Sequence, residues 1–495
     1  MRVFVTGATG FIGRALVPAL QREGHTVVAW ARSEARARAR LGADIETASA
    51  GASTGELAAE LERCDAVVNL AGEPIVGARW TAARRRVLRD SRVGVTAALV
   101  KGLEAARRRP RVLVSGSAVG WYGDRAAETL DEGSSPGDDF LARLCRDWEA
   151  AALESEKLGL RVILLRTGAV LGRDGGALAP MLLPFRLGLG GPVGSGRQYL
   201  AWIHLHDLVR IVTVAIADEG LRGVVNGTAP EPATNREFAK ALGRALRRPA
   251  LLPVPALAVR AIFGEAAGVL LSSQRVSPGV LRRRGFTFGF PALDAALGDV
   301  LGGTPIAIGP LREPVDARGS EPGRRYLERR PPSRELRATT TVDAPADETF
   351  RFFSKAGNLG LLTPAAMRFS IEGTPPAIGE ETAIDYRLRV GPVPVRWRSR
   401  IANWAPGSGF VDFQETGPYA SWWHEHTFRA AGPATLMEDR VCYAPPLGLI
   451  GRLADRLFIR RTLRQIFQYR ADVIRLRFGA APRSSPSGRV RSGRT

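Results

Sequence analysis

Arg2-Val3-Phe4-Val5-Thr6-Gly7-Ala8-Thr9-Gly10-Phe11-Ile12-Gly13 opens the chain and decides its fold. Residues 2–5 have strand character and run straight into glycines at i, i+3 and i+6. An amphipathic helix pattern follows through Phe11, Ile12, Leu16 and Leu20. Gly7 permits a tight turn that would strain a residue carrying a Cβ. Gly10 lets a phosphate approach the backbone, and Gly13 lets the helix pack close to the strand. The start of the helix offers N–H groups and the positive end of its dipole to a pyrophosphate. A glycine triplet is informative when a strand precedes it and a helix follows, and both are here. Pro18 falls inside that helix, removes one N–H, and predicts a kink.

The second strand reads Thr26-Val27-Val28-Ala29-Trp30-Ala31-Arg32-Ser33. An NAD-binding chain usually ends this strand on Asp or Glu, which accepts from the ribose 2′-OH. Arg32 and Ser33 stand there instead, a pair suited to a 2′-phosphate, so NADP is expected in preference to NAD. Ala66-Val67-Val68-Asn69-Leu70-Ala71-Gly72 reads as a buried parallel strand running into a small-residue loop. A long amphipathic helix is expected from about 80 to 106. The strand over 111–115 then delivers Ser115-Gly116-Ser117-Ala118-Val119-Gly120-Trp121-Tyr122-Gly123 to the carboxyl edge of the sheet, where open α/β sheets bind ligands. A helix over 138–157 and a strand over 161–166 continue the alternation, which means an α/β protein with a doubly wound parallel sheet. After Gly168 the pattern changes. Glycine- and leucine-rich segments, a helix start at Trp202–Leu208 with Asp207 as N-cap, and a capping box at Thr234–Glu237 predict a smaller substrate lobe.

The 495 residues imply more than one domain, with an apolar share of 45% that is ample for packed cores. The formal charge of +21 invites a nucleic-acid or anionic-membrane reading. Yet lysine occurs only at 101, 157, 240 and 355, and the arginines are spread along the chain as codon bias would spread them. No specific nucleic-acid partner is expected. Cys64, Cys145 and Cys442 are an odd count without metal or pairing spacing, which fits a reducing compartment. The chain enters a strand at once, so no signal peptide is expected. No apolar run is long enough to span a bilayer. The expected localisation is cytoplasmic.

With Thr6 and the Phe11-Ile12 pair, the G-x-x-G-x-x-G spacing resembles the extended short-chain dehydrogenase/reductase family. The resemblance implies a cofactor-lining set of Gly7, Thr9, Gly10, Phe11, Ile12, Gly13, Arg32, Ser33, Leu70, Ala71, Gly72 and Ser115. It also implies a Ser or Thr that holds the substrate oxygen, a Tyr that moves the proton, and a Lys four residues on that lowers the Tyr pKa. Ser117 matches the first. Counting back from Glu149, the Tyr position is Leu141 and the Lys position is Cys145, so the dyad is absent. That departure, with Ser117–Gly123, Leu144–Glu149, Leu187–Gly191, Trp202–His204 and Gln274–Val276, resembles the atypical "epimerase family" (NAD-dependent epimerase/dehydratase-like) branch. The implied function is an NADP(H)-binding oxidoreductase acting on a carbonyl or hydroxyl substrate, with Tyr122 as the replacement acid and Cys145 after it. The alternative is a non-catalytic, redox-sensing NADP(H) module.

The resemblance covers residues 1–302. Residues 303–336 lose periodicity, carry six prolines, and read as a linker. From about 337 to 480 a strand, helices, several turn-separated strands and a long last helix resemble the polyketide-cyclase/START-like (SRPBCC) helix-grip superfamily. This implies an α+β domain with an apolar cavity and a lipophilic ligand. Ile450, Leu453, Leu457, Ile459 and Ile466 read as a core stripe of the last helix. His424 and His426 share a strand face, but no cysteine or third histidine accompanies them, so no metal is expected. Residues 481–495 read as a disordered basic tail.

Overall fold

The computed structural model describes residues 1–478 apart from 77–78, 173–174, 303–305, 318–319, 343, 391–392 and 432–433. The chain divides into two compact units, Met1–Gly303 and Thr304–Thr495.

In the first unit β1 (Arg2–Thr6), β2 (Thr26–Ala31), β3 (Glu46–Ser49), β4 (Ala66–Asn69), β5 (Val112–Ala118), β6 (Arg161–Thr167) and β7 (Gly223–Gly227) form one sheet, ordered β7-β6-β5-β4-β1-β2-β3. Every pairing in it is parallel. The strands are apolar on both sides because both faces are covered. Val3 and Val5 pack on one side with Leu16 and Leu20 of α1 (Gly13–Arg22). Phe4 and Val28 pack on the other with Leu57, Leu61 and Leu99. Each such side chain contributes roughly 1.5–3 kcal/mol on burial, which fixes the sheet and its carboxyl edge. α1 continues through Pro18 to Arg22 without a break.

The helix expected over 80–106 is interrupted. It runs Ala82–Arg89, makes a π-helical turn at Asp90–Gly94, and resumes at Val95–Ala105. The wide turn buries Arg92, which donates to Glu73 O at 2.8 Å and lies over the Trp148 ring. π turns of this kind recur at functional sites, and this one sits under the loop that follows β4. In the lobe, His204 and not Asp207 caps the helix Leu205–Ala217: its Nδ1 accepts from His206 N–H at 3.1 Å. Asp207 is buried and accepts from the N–H groups of Gly289 and Phe290, at 2.8 and 2.9 Å.

The second unit is an eight-stranded antiparallel sheet, the α+β class expected. In chain order its strands are β8 (Ile306–Pro310), β9 (Arg334–Val342), β10 (Ser370–Ile371), β11 (Ala383–Val390), β12 (Val393–Ala405), β13 (Gly409–Thr416), β14 (Ser421–Ala431) and β15 (Ala434–Ala444). They are ordered β8-β9-β15-β14-β13-β12-β11-β10. The linker expectation is corrected here. Among residues 303–336, β8 pairs with β9 in the sheet, and Glu321–Arg329 is a helix whose Tyr326 packs on Phe413.

The last helix is also broken. Gly448–Ala454 leads into a π turn, Asp455–Ile459, and then into α2 (Arg460–Phe478). Buried Asp455 anchors the break by accepting from Tyr443 Oη and Arg460 Nε, both at 2.8 Å. α2 buries Leu463, Phe467, Ala471, Ile474 and Phe478. The stripe read from the sequence is therefore only half correct, since Ile450, Leu453 and Leu457 are exposed. The tail 481–495 lies outside the described residues.

Candidate functional site

The first turn of the chain builds a tight cradle. Gly7 takes φ +67°, and a Cβ on it would stand 2.6 Å from the Leu70 carbonyl oxygen. Gly10 N–H closes the turn on Gly7 O at 2.9 Å. A Cβ on Gly13 would lie 2.3 Å from Gly7 O and 2.5 Å from Ala8 O, backbone atoms that have nowhere to go. Gly10 differs: its Cβ would meet only Gly7 O, at 3.0 Å, so the outer side of the turn is open. Arg14 N–H pairs with Gly10 O at 3.0 Å, and Ala15 and Leu16 N–H pair with Ile12 O at 3.0 and 2.9 Å. The N–H groups left without a carbonyl among the described residues are those of Phe11, Ile12 and Gly13. The turn therefore has the shape and the donors that a pyrophosphate needs.

The neighbours fall around this turn. Phe11 lies against Gly172, Gly175 and Gly176, where a Cβ on Gly175 would be 2.3 Å from the ring. The Thr9 carbonyl accepts from Arg40 Nη1 at 3.2 Å. Arg32 is exposed just past β2, and Ser33 caps the next helix by accepting from Arg36 N–H at 3.3 Å. Arg40 is a cation that the sequence reading missed, because only the helix geometry brings it beside the turn. Leu70 and Ala71 are half-buried and Gly72 is exposed at the rim.

Thr6 Oγ1 donates to Asn69 Oδ1 at 2.7 Å and accepts from Ala71 N–H at 3.1 Å. Asn69 Nδ2 donates to Thr96 Oγ1 at 2.8 Å and to Ser115 Oγ at 3.3 Å. These bonds tie the carboxyl ends of β1, β4 and β5 together. Ser115, expected to line the cofactor, is fully buried within this tie.

A second buried cluster runs beside β5. Ser117 Oγ donates to Glu149 Oε1 at 2.5 Å. Arg166 grips Glu149 with two bonds of 2.9 Å and donates from Nη1 to Tyr122 Oη at 3.2 Å. Tyr122 Oη donates to Asn226 Oδ1 at 2.7 Å. The Arg166 guanidinium lies 3.8 Å above the Trp121 ring. This geometry encloses Tyr122, the residue read as the replacement acid. It has no exposed surface, its hydroxyl is held on both sides, and burial pushes its pKa up against the pull of Arg166. Cys145 is no better placed. Its Sγ faces Ala118 O at 3.7 Å, and burial, then the Glu149 carboxylate, pushes the thiol up to about 12. Leu141 packs on Gly120. Of the residues read as chemical, Ser117 alone keeps a hydroxyl whose proton has an ionisable partner.

Residues 3–226 match the NAD dependent epimerase/dehydratase family, and residues 254–300 match a domain of unknown function, DUF1731. "Epimerase family protein SDR39U1" of Bos taurus is 43% identical over 307 residues, 61% of this chain and 100% of its own length. The chain belongs to this epimerase family. A Mycobacterium tuberculosis member, "Epimerase family protein MT2273", is 44% identical over 60% of this chain and 96% of its own length. The crystal structure of human epimerase family protein SDR39U1 (isoform 2), solved with NADPH, superposes with a TM-score of 0.55 at 41% identity. It covers 61% of this chain and 99% of that one. The family thus accounts for the first unit. No helix among the described residues is long and apolar enough to cross a membrane.

Proposed function

We propose that the first unit binds NADP(H) at the Gly7–Gly13 turn and exchanges hydride with a carbonyl or hydroxyl substrate whose oxygen is held by Ser117. The observation that carries this reading is the turn itself: Gly7 and Gly13 are sterically closed to any side chain while Gly10 is open outward. Arg32 and Ser33 would take the 2′-phosphate, and Leu70, Ala71 and Gly72 would border the nicotinamide side. The NADPH of the human relative supports the choice of cofactor. A bound nicotinamide supplies the hydride chemistry; Ser117 Oγ, whose one proton goes to Glu149 Oε1, would accept from a hydroxyl substrate, or would have to turn from Glu149 to donate to a carbonyl. Calorimetry with NADPH, NADP⁺, NADH and NAD⁺ tests the reading. Saturable heat with the phosphorylated pair, and weaker heat with the other, is expected; no heat with any of the four refutes it.

The enclosure of Tyr122 favours a second reading, a non-catalytic NADP(H) module. NADPH oxidation by the purified protein against a panel of carbonyl compounds separates the two, since tight binding without turnover selects the module. For the second unit we propose an apolar ligand. This rests on the layout, an antiparallel sheet followed by a long last helix, from which the sequence implied such a ligand. Tethering would raise the local concentration of such a ligand at the first unit. A lipophilic small molecule that co-purifies and is identified by mass spectrometry would support it, and a second unit that takes up no apolar probe would refute it.

A further inference from the structure

Three adjacent strands of the second unit bring two histidines and two aspartates to one place inside it. Asp412 of β13 stands directly opposite His424 of β14, and His426 stands opposite Asp439 of β15. All four point to the side of the sheet covered by α2, where Phe467 contacts the His424 ring and Arg470 reaches Asp439 at 3.1 Å. The two imidazole rings lie 3.8 Å apart between their centres. His424, His426 and Asp439 are buried, whereas the Asp412 side chain keeps 21% of its surface. The Asp412 side is therefore the accessible one.

The nitrogens divide by the carboxylate they face. Asp439 Oδ1 is 3.0 Å from His424 Nε2 and 2.9 Å from His426 Nδ1. Asp412 Oδ2 is 3.2 Å from His424 Nδ1 and 3.0 Å from His426 Nε2. Arg470 Nη2 lies 3.0 Å from His426 Nδ1 as well as 3.1 Å from Asp439 Oδ1. When it donates to Asp439, each ring can donate its N–H to the same carboxylate, and both lone pairs then converge on the Asp412 side. A carboxylate that fixes the tautomer and orientation of a ligating histidine through its other nitrogen is the usual outer partner at metal sites, and here one carboxylate serves two rings. Ligands about 2.1 Å from a divalent ion, at tetrahedral to octahedral angles, are about 3.0–3.4 Å from one another. The two Asp412 separations fall in that range, and the three candidate ligand atoms all lie within 4.8 Å of one another. Arg470 offsets Asp439, so with both rings neutral the carboxylate of Asp412 is left without a countercharge in the cluster.

From this arrangement we infer that Asp412, His424 and His426 bind a divalent transition-metal ion, with Asp439 and Arg470 orienting the two histidines. Two imidazoles and one carboxylate leave coordination positions open. The open positions face the side where Asp412 is accessible, and they take an oxygen of a small ligand or water. The second unit then holds a Lewis acid within an aromatic interior, a chemistry that the first unit does not supply.

The test uses the tag-free full chain, stripped with a chelator and titrated with Co²⁺ and then Zn²⁺. The expected result is one Co²⁺ per chain with d–d absorption bands, displaced by Zn²⁺, and a higher unfolding temperature for the loaded protein. Asp412→Asn and His426→Gln are expected to weaken Co²⁺ binding at least ~100-fold. Asp439→Asn weakens it by about 10–100-fold with the bands retained. Near-ultraviolet circular dichroism, which reads the buried Trp397, Trp422, Trp423 and Tyr443 of the second unit, serves as the control for folding of each variant. X-ray absorption of the Co²⁺-loaded wild type is expected to show two imidazoles and needs no variant. The inference is overturned if the wild type binds no stoichiometric Co²⁺, if the absorption spectrum shows no imidazole, or if folded Asp412→Asn and His426→Gln bind as the wild type does. The cluster is then a buried hydrogen-bond network.

Discussion

Tyr122→Phe separates scaffold from chemistry more sharply than any other single change. The substitution removes one hydroxyl and keeps the ring, so packing is preserved. Asn226 Oδ1 loses the donor it has at 2.7 Å, in a site with no exposed surface. Arg166 Nη1 loses an acceptor but keeps its two-bond grip on Glu149. One orphaned buried acceptor and one weakened donor cost about 1–3 kcal/mol, which lowers the unfolding midpoint of a unit this size by about 2–6 °C. Arg166→Met is the calibrating variant. It strands the Glu149 carboxylate at 4% side-chain exposure, a loss of about 3–5 kcal/mol, so it must fall further. Scanning calorimetry reads both, alongside NADPH binding and any carbonyl-dependent NADPH oxidation. A structural Tyr122 leaves NADPH affinity within about threefold. A proton donor leaves the midpoint nearly unchanged and lowers turnover by roughly 10²–10⁴-fold. That second pattern would refute the assignment made from the hydrogen bonds.

Gly13→Val drives a side chain into Gly7 O and Ala8 O, so it is expected to abolish NADPH heat and to lower the unfolding temperature. Gly10→Val, whose Cβ meets only Gly7 O, is expected to abolish NADPH heat with the smaller stability loss. Arg32→Glu should reverse the preference between NADPH and NADH in the same titration, while an unchanged ratio would remove Arg32 from the 2′-phosphate site. Burial raises the thiols of Cys64 to about 11 and of Cys145 and Cys442 to about 12. These acids hold their protons more tightly in the folded chain, so their contribution to stability is complete below pH 9 and is lost as pH rises toward 11–12. Thiol titration at pH 8 should find none of the three reactive until denaturant is added, and denaturation midpoints should fall on the alkaline side of pH 9.

What was legible in the sequence is what local period and local sterics control. The Gly7–Gly13 turn, the two-faced apolar strands and the antiparallel second half each follow from patterns within a dozen residues. The misses share a cause. The π turns at Asp90–Gly94 and Asp455–Ile459 interrupt patterns that read as continuous helices, and each is held by a buried charge whose partners include residues outside its helix, Glu73 and Trp148 for Arg92 and Tyr443 and Arg334 for Asp455. β8 escaped notice because proline-rich flanks hid a strand that exists only through pairing with β9. Tyr122 looked available because its loop is short and aromatic; its enclosure depends on Asn226 and Arg166, which come from β7 and β6.

The histidine pair makes the same point for function. Period-two alternation puts His424 and His426 on one face, and a search for a nearby cysteine or third histidine then stops. The missing ligand type is a carboxylate, and it arrives across the sheet. Register places Asp412 opposite His424 and Asp439 opposite His426. A slip of one residue in either pairing would turn the aspartate to the other face. The acidic half of the site is therefore written in the lengths of the two hairpins rather than in any motif. Inserting one residue at 417–420, between β13 and β14, should weaken Co²⁺ binding at least as much as Asp439→Asn, although it removes no ligand, with the near-ultraviolet circular dichroism unchanged. Retained wild-type Co²⁺ affinity in that variant would show that cross-strand register does not position Asp412 against the histidines.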